Sequence, residues 1–224
     1  MTAGAALTAW STRPGVPPGI ALLHADAALL VLDKPSGLLS VPAKPPGSAD
    51  CLEARVRAAF PEALLIHRLD GDTSGVMIFA RTRLAQRHLG WQFERRQVRK
   101  AYVARVEGRV AGEEGTIDLP LIADWPNRPK QMVDFARGKP AVTDWRVLAR
   151  EPAATRLGLR PHTGRSHQLR VHLLAIGHPI LGDGFYAPPA ALTAADRLQL
   201  HAERIGFRHP EGGAWVEFHC PAPF

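Results

Sequence analysis

Short apolar or alternating stretches recur along the chain. The clearest is 100–107, where Tyr102, Ala104 and Val106 share one face and Val103, Arg105 and Glu107 the other, the pattern of a half-buried strand. Short apolar runs at 20–24 and 28–33 predict two adjacent strands, and 76–80, 142–148, 155–160, 201–207 and 215–219 predict further ones. Helical spacing is rarer. It predicts a helix over 50–60, with Asp50 as N-cap, Glu53 on the first turn and Pro61 beyond the end. A second over 83–96 sets Leu84, His88 or Leu89, and Phe93 along one side and bases along the other. A third over 166–176 is closed by Gly177, and a short one falls near 194–200. The sum is an α+β fold with a large, mainly antiparallel sheet flanked by helices and loops. Residues 1–19 show no sustained periodicity and are expected to form a flexible arm, leaving 20–224 as one catalytic domain. The stretch 34–47 reads as turn-rich.

Composition narrows the partners. The 224 residues are 46% hydrophobic and 22% charged, ordinary for one globular domain. Lys and Arg number 28 against 21 Asp and Glu, a net charge of +7, and most of the cations are Arg. A planar guanidinium grips phosphate oxygens in pairs and stacks on bases, so a polyanionic partner is expected. Cys51 and Cys220 lie far apart in no C-x-x-C arrangement, which supports neither a disulfide framework nor a thiolate metal site and suits a reducing compartment. The first fifteen residues carry no basic segment ahead of an apolar one, and no run reaches the roughly eighteen apolar residues of a membrane span. The expected location is the cytoplasm.

Three segments concentrate polar groups inside or beside apolar strands, where an unpaired charge is costly. They are His67-Arg68-Leu69-Asp70-Gly71-Asp72-Thr73-Ser74-Gly75, then the run from Lys100 through Tyr102 to Gly108, and Thr163-Gly164-Arg165-Ser166-His167-Gln168-Leu169-Arg170-Val171-His172. These resemble, in order, the H-R-L-D-x-x-T-S-G, K-x-Y-x-A-x-V-x-G and T-G-R-S-H-Q-L-R-V-H blocks of the RluA-type pseudouridine synthases. Leu181-Gly182-Asp183 ahead of Phe185-Tyr186, and the run from Lys34-Pro35-Ser36-Gly37 to Pro42, fit the same family. The stretches Asp124 to Gln131 and Gly138 to Ala141 resemble its compact subgroup, which treats both a large-subunit ribosomal RNA hairpin and a tRNA anticodon stem-loop. The twenty or so residues ahead of the first strand are too few for the S4-type RNA-binding domain of larger relatives.

The resemblance implies the pseudouridine synthase fold with a central RNA-binding cleft, and an isomerisation: the N1–C1′ bond of a uridine breaks, the base turns, and C5 joins C1′. Nothing is oxidised and no phosphate is hydrolysed, so no cofactor and no metal are expected. Asp70 is the implied catalytic carboxylate, whether by attack at C1′, by addition to the base or by removal of the C2′ proton. Taken alone, an Asp at a strand-to-turn junction would be a turn former. A carboxylate packed beneath a base needs a cation beside it, and the resemblance supplies Arg170. Tyr102 is implied as a ring for the flipped uracil to stack on; with an ordinary pKa near 10 it is a poor base at neutral pH. Arg68 is expected to fill the space the uridine vacates, and Arg165 to bind phosphate. His67, Thr73, Lys100, Arg128 and Lys130 are further expected RNA contacts, beside the basic run Arg95, Arg96 and Arg99. The implied partner is structured RNA, with no membrane, and one site acting on one hairpin requires only a monomer.

Other readings fit less well. Asp70-Gly71-Asp72-Thr73 resembles the paired aspartates of magnesium-dependent phosphatases, but Thr73 directly follows Asp72 instead of standing two residues beyond it, and Gly182-Asp183 lacks a second acid four residues on. His162, His167 and His172 recur every five residues, which alternates faces on a strand and turns about 140° on a helix, so one zinc ion is not easily shared. A non-catalytic RNA-binding or ribosome-assembly module on the same fold would have little reason to keep Asp70, Tyr102 and Arg170 together.

Overall fold

A computed structural model of the chain describes residues 21–43 and 49–224; the expected N-terminal arm and a strand start at residue 20 lie outside the described residues. Strands β1 (Ala21–Ala25) and β2 (Leu29–Lys34) form an antiparallel hairpin. Its turn is closed by Asp26, whose carboxylate accepts from the Ala28 and Leu29 amides at 2.7 and 2.9 Å. There follow α1 (Leu52–Ala59), β3 (Leu64–Leu65), β4 (Ser74–Ala80), α2 (Arg83–Glu94), β5 (Arg99–Glu107) and β6 (Glu114–Asp118). A separate small hairpin, β7 (Leu121–Ala123) and β8 (Gln131–Val133), precedes β9 (Val142–Arg150) and β10 (Ala154–Pro161). The chain closes with α3 (Gln168–Ala175), α4 (Pro189–Thr193), β11 (Leu200–Arg208) and β12 (Trp215–His219).

Among the described residues, ten strands make one mixed sheet in the order β1-β2-β4-β11-β5-β10-β9-β6, with β12 on β11 and β3 on β4. The fold is α+β as the alternation predicts. Strand β4 is buried at every position, because helices cover both faces of the sheet there. Met77 and Phe79 point with Leu30 and Leu32 into a core shared with Leu52 and Val56 of α1. Val76 and Ile78 point the other way, with Leu29 and Val31, onto Ala85 and Leu89 of α2. A third core joins Ala104, Val106, Leu157 and Leu159 to Leu169 and Leu173, seating α3 against β5 and β10.

Several local expectations change. The cap of α1 is Cys51, whose sulfur accepts from the Ala54 amide at 3.4 Å, while Asp50 turns outward to pair with Arg55. The buried stripe of α2 is Ala85, Leu89 and Gln92, and Leu84 stands 68% exposed, because the side that meets β4 is one residue on from the side the apolar count favours. No helix forms over 194–200; α4 ends at Thr193 and Leu200 already belongs to β11. Strands β3, β6, β7 and β8 carry too little alternation to be read locally. Among the described residues no helix is long and apolar enough to cross a membrane.

The β4–β11 pair is the sheet's parallel junction, with Ser74 opposite His201 and Gly75 opposite Ala202. Gly75 adopts φ 115°, and a Cβ there would lie 2.3 Å from the Ala202 carbonyl oxygen. No flexible side chain can yield, since the obstacle is backbone. Gly75→Ala is expected to cost about 3 kcal/mol or more in urea unfolding; a change under about 1 kcal/mol would show that the junction relaxes.

Candidate active site

The segment from His67 to Thr73 leaves β3 and enters β4 as an irregular loop, so its backbone groups need partners from elsewhere. The turn-rich stretch after β2 supplies them. Ser40 Oγ donates to the Leu69 carbonyl at 2.6 Å and accepts from the Leu69 amide at 3.1 Å. Ser36 Oγ donates to the Asp72 carbonyl at 2.6 Å. Lys34, 0% exposed, spends its three ammonium protons on the carbonyls of Pro35, Leu38 and Gly71 at 2.8, 2.6 and 2.7 Å. Burial pulls the Lys34 ammonium down to about 8, against the opposing charges of Asp72 and Asp70. Asp70 is thereby held through its neighbours' backbone while its side chain stays 31% exposed.

Behind Asp70 lies Arg170, on α3 and only 1% exposed. The expected partnership is present but secondary. A guanidinium nitrogen stands 3.8 Å from the Asp70 carboxylate, an ion-pair distance too long for a hydrogen bond. The fork of Arg170 instead closes on Asp183, Nε to Oδ2 at 2.8 Å and Nη2 to Oδ1 at 2.5 Å, with both side chains 1% exposed. Burial works against the Arg170 charge, but the hydrogen bonds and charge of Asp183, with Asp70 beyond, hold the guanidinium above its usual range. The rings of Phe185 and Tyr186 flank it at 5.0 and 5.2 Å. In the sequence Asp183 stands within Leu181-Gly182-Asp183, and nothing local marks it as the partner of Arg170. Gly182 is required to bring it there: at φ 71° a Cβ would strike the Arg197 carbonyl oxygen at 2.0 Å.

A cleft of about 250 Å³ opens over this pair and gathers Asp70, Tyr102 and Arg170 with Arg68, Arg165, His67, Thr73 and Lys100. Arg128 and Lys130 are not among its lining residues. Burial and the Asp70 charge push the Tyr102 phenol above its ordinary range, so it remains protonated. Burial and Lys100 pull His67 down to about 3. Its Nε2 accepts from the Ile78 amide at 3.2 Å and its ring stacks on Phe93 at 4.9 Å. His67, expected from the sequence as an RNA contact, is thus a neutral wall of the cleft. Thr73, at the end of the loop, is buried and lines the cleft floor. Burial also lowers Lys100.

Two basic surfaces leave the cleft. One is a groove of about 520 Å³ lined by Arg96, Arg99, Lys100, Arg160 and Arg165; Arg95 is turned aside, 4.4 Å over the Trp91 ring. The second is the β7–β8 hairpin, where Arg128 lies 3.8 Å over Trp125, itself 68% exposed. The hairpin is joined to the cleft by Tyr186, whose hydroxyl accepts from the Gln131 amide at 2.8 Å and meets His167 Nδ1 at 2.7 Å. The sequence offers His167 inside the block from Thr163 to His172 and as one of three evenly spaced histidines, with no role of its own. These do not converge: His162 pairs with Asp144 at 2.5 Å, and buried His172 bonds Thr143 and the Leu119 carbonyl, each at 3.0 Å.

Among the described residues one group of metal-ligating types lies close together, Asp33, His201 and Cys220. Both imidazole nitrogens of His201 are already engaged, Nδ1 with Ser74 Oγ at 2.8 Å and Nε2 with the Cys220 carbonyl at 2.9 Å. Burial and the charge of Asp33 push the Cys220 thiol up to about 12, where it keeps its proton. His201 thereby ties Ser74 of β4 to the Cys220 carbonyl across the β4–β11 junction.

Residues 28–175 match the family described as RNA pseudouridylate synthase. The dual-specificity RNA pseudouridine synthase RluA of Yersinia pestis is 53% identical over 204 residues, covering 91% of this chain and 99% of that protein. Its namesake from Escherichia coli K12 is 50% identical over 213 residues, covering 95% and 97%. Among solved structures, human RNA pseudouridylate synthase domain containing 1 superposes with a TM-score of 0.79 at 28% identity, covering 95% of this chain and 87% of its own.

Removing one member of the buried Arg170–Asp183 pair leaves an uncompensated charge. Asp183→Asn is expected to cost about 3–5 kcal/mol in urea unfolding, whereas the double variant R170M/D183L recovers most of that loss. Equal losses in the single and double variants would show that packing, not charge, holds α3 to the site.

Proposed function

The chain belongs to the RNA pseudouridylate synthase family and forms pseudouridine in RNA, and from that premise we propose that Asp70 carries the chemistry on a uridine flipped into the cleft against Tyr102. The observation that carries this reading is the Asp70 carboxylate, partly open to the cleft, with the buried Arg170 guanidinium 3.8 Å behind it. A uridine within a stem-loop must leave its stack to reach this carboxylate, at a cost of a few kcal/mol. Arg68, exposed and two residues from Asp70, is suited to the vacated space. Tyr102 offers its ring to the detached uracil. Arg170 opposes the charge of Asp70 and fixes its direction, and is in turn aimed by Asp183. The reaction needs no cofactor, because every bond broken and made lies within one nucleotide.

Phosphate contacts fall to the basic groove, with Arg165, Arg99 and Lys100 along the RNA backbone. His67 and Thr73 shape the cleft without touching RNA phosphates. The Trp125–Arg128 stack, with Lys130 beside it, receives a nucleotide outside the cleft, since an exposed ring next to a cation suits a base and its phosphate together. The substrates we propose are a large-subunit ribosomal RNA hairpin and a tRNA anticodon stem-loop; the relatives named as dual-specificity enzymes, each matched over nearly its full length, support this choice. Residues 20–224 act as one catalytic unit, as a monomer, in the cytoplasm where such RNAs reside.

With RNA tritiated at C5 of uridine, Asp70→Asn is expected to abolish tritium release and to leave RNA affinity within about tenfold, since the phosphate contacts are untouched. Residual turnover above a few per cent would remove Asp70 from the chemistry. Trp125→Ala is expected to weaken RNA binding about tenfold in a filter or anisotropy titration with little change in the single-turnover rate at saturation. Unchanged affinity would exclude the hairpin from the interface.

A further inference from the structure

We infer that His167 is the group that takes the C5 proton from the uracil after it has joined C1′ through carbon. The inference rests on the reading of Asp70 and the cleft given above. Once the new bond forms, C5 is tetrahedral and holds both C1′ and its original hydrogen. Its proton must leave: the C5–H electron pair becomes the C5=C6 bond, the N1=C6 pair withdraws onto N1, and N1 takes up a proton. Hydrogen is exchanged between C5 and N1 through a base and water, and nothing is oxidised or reduced.

The cleft offers few bases. Asp70 is committed to the sugar or the base, and the lone pair of His67 is held by the Ile78 amide. Tyr102 keeps its phenolic proton. Lys100 stands at the mouth, shared between the cleft and the basic groove. His167 remains. It lines the cleft with Asp70 and Tyr102, and among the described residues its accessible Nε2 has no hydrogen-bond partner. The Nδ1–Tyr186 bond can run either way; in the tautomer assigned here the Nδ1 N–H donates to the Tyr186 oxygen, which also accepts from the Gln131 amide, the phenolic proton of half-buried Tyr186 turns to solvent, and the Nε2 lone pair is free. The ring is fixed by more than one contact: Phe185 stacks on it at 5.6 Å, and the residue holds φ 52° at the start of α3, a backbone setting few side chains adopt. The charged groups facing it are Asp70 and Asp72 from the loop, Arg170 from its own helix, and Asp183 near Tyr186; burial outweighs them and keeps the imidazole neutral below the ordinary histidine range. Once protonated, the imidazolium faces the Asp70 carboxylate.

His167→Asn is the informative variant, because Asn tolerates a positive φ. Three readouts are taken on full-length protein with a stem-loop substrate in single turnover: the rate, its pH profile and the isotope effect of deuterium at C5. The expected result is a loss of about 100-fold, disappearance of the acid limb that the neutral imidazole imposes on the native enzyme, and a primary C5 isotope effect larger than that of the native enzyme. Tyr186→Phe is expected to slow the same step less and retain the acid limb. A rate within about threefold of native, or a slower rate with native pH profile and isotope effect, would overturn the assignment and leave His167 as a structural residue. If H167N lost its native circular dichroism, H167Q takes its place, and the same three readouts support or overturn the assignment on the same terms. Failure of the native enzyme to release C5 label would count against the reading of the cleft itself, a result distinct from either.

Discussion

A guanidinium buried to 1% exposure must have its charge answered inside the protein, and at Arg170 two carboxylates share that task unequally. Asp183 takes the fork in two hydrogen bonds. Asp70 receives only the longer-range remainder at 3.8 Å. That inequality is what leaves Asp70 available: a carboxylate clasped in a bidentate pair would have its lone pairs spent, whereas one that merely faces a cation keeps them for a substrate. The geometry of Gly182, the rings of Phe185 and Tyr186, and the seating of α3 on β5 and β10 all serve to hold this arrangement.

The same division appears in how the loop that carries Asp70 is held. Lys34, Ser36 and Ser40 bind carbonyls and amides of Leu69, Gly71 and Asp72 and make no hydrogen bond to Asp70 itself. Backbone anchoring fixes the position of a side chain without competing for its chemistry. The ammonium of Lys34 contributes beyond its hydrogen bonds, since it adds positive charge beneath a loop carrying two aspartates. A neutral donor would satisfy carbonyls but not offset that charge.

Around the cleft, burial separates groups of similar type into different states. His67 is driven far down and spends its nitrogen on the sheet, while His167 is lowered by burial against the opposing charge of Asp70 and keeps a nitrogen accessible. Tyr102 is driven up and stays a neutral ring. Apart from Arg170 and Lys34, whose charges are answered by buried partners, cations stand at the rim and along the outer groove, where solvent and phosphate can answer them. A cleft whose buried charges are internally paired, beside a basic approach, suits a substrate whose reacting base is uncharged and whose backbone is an anion.

Much of this is legible in the chain. The alternation at 100–107 locates β5, short apolar and β-rich runs locate β2, β4, β9, β10 and β11, and the resemblance of the three blocks names Asp70, Tyr102 and Arg170 as residues that belong together. Strands β7 and β8 stay hidden, being three residues each, too short for a period to show. Periodicity misplaces Leu84 because a helix's apolar side does not say which neighbour it meets. The partners of buried charge are also beyond its reach: Lys34 bonds a carbonyl 37 positions away, and Arg170 finds Asp183 only after the chain has turned back past α3. Local sequence determines which groups must be buried, since that depends on residue type and spacing. Which group answers a buried charge depends on which strands become neighbours, and the parallel junction of β4 with β11 is decided only when the whole sheet assembles.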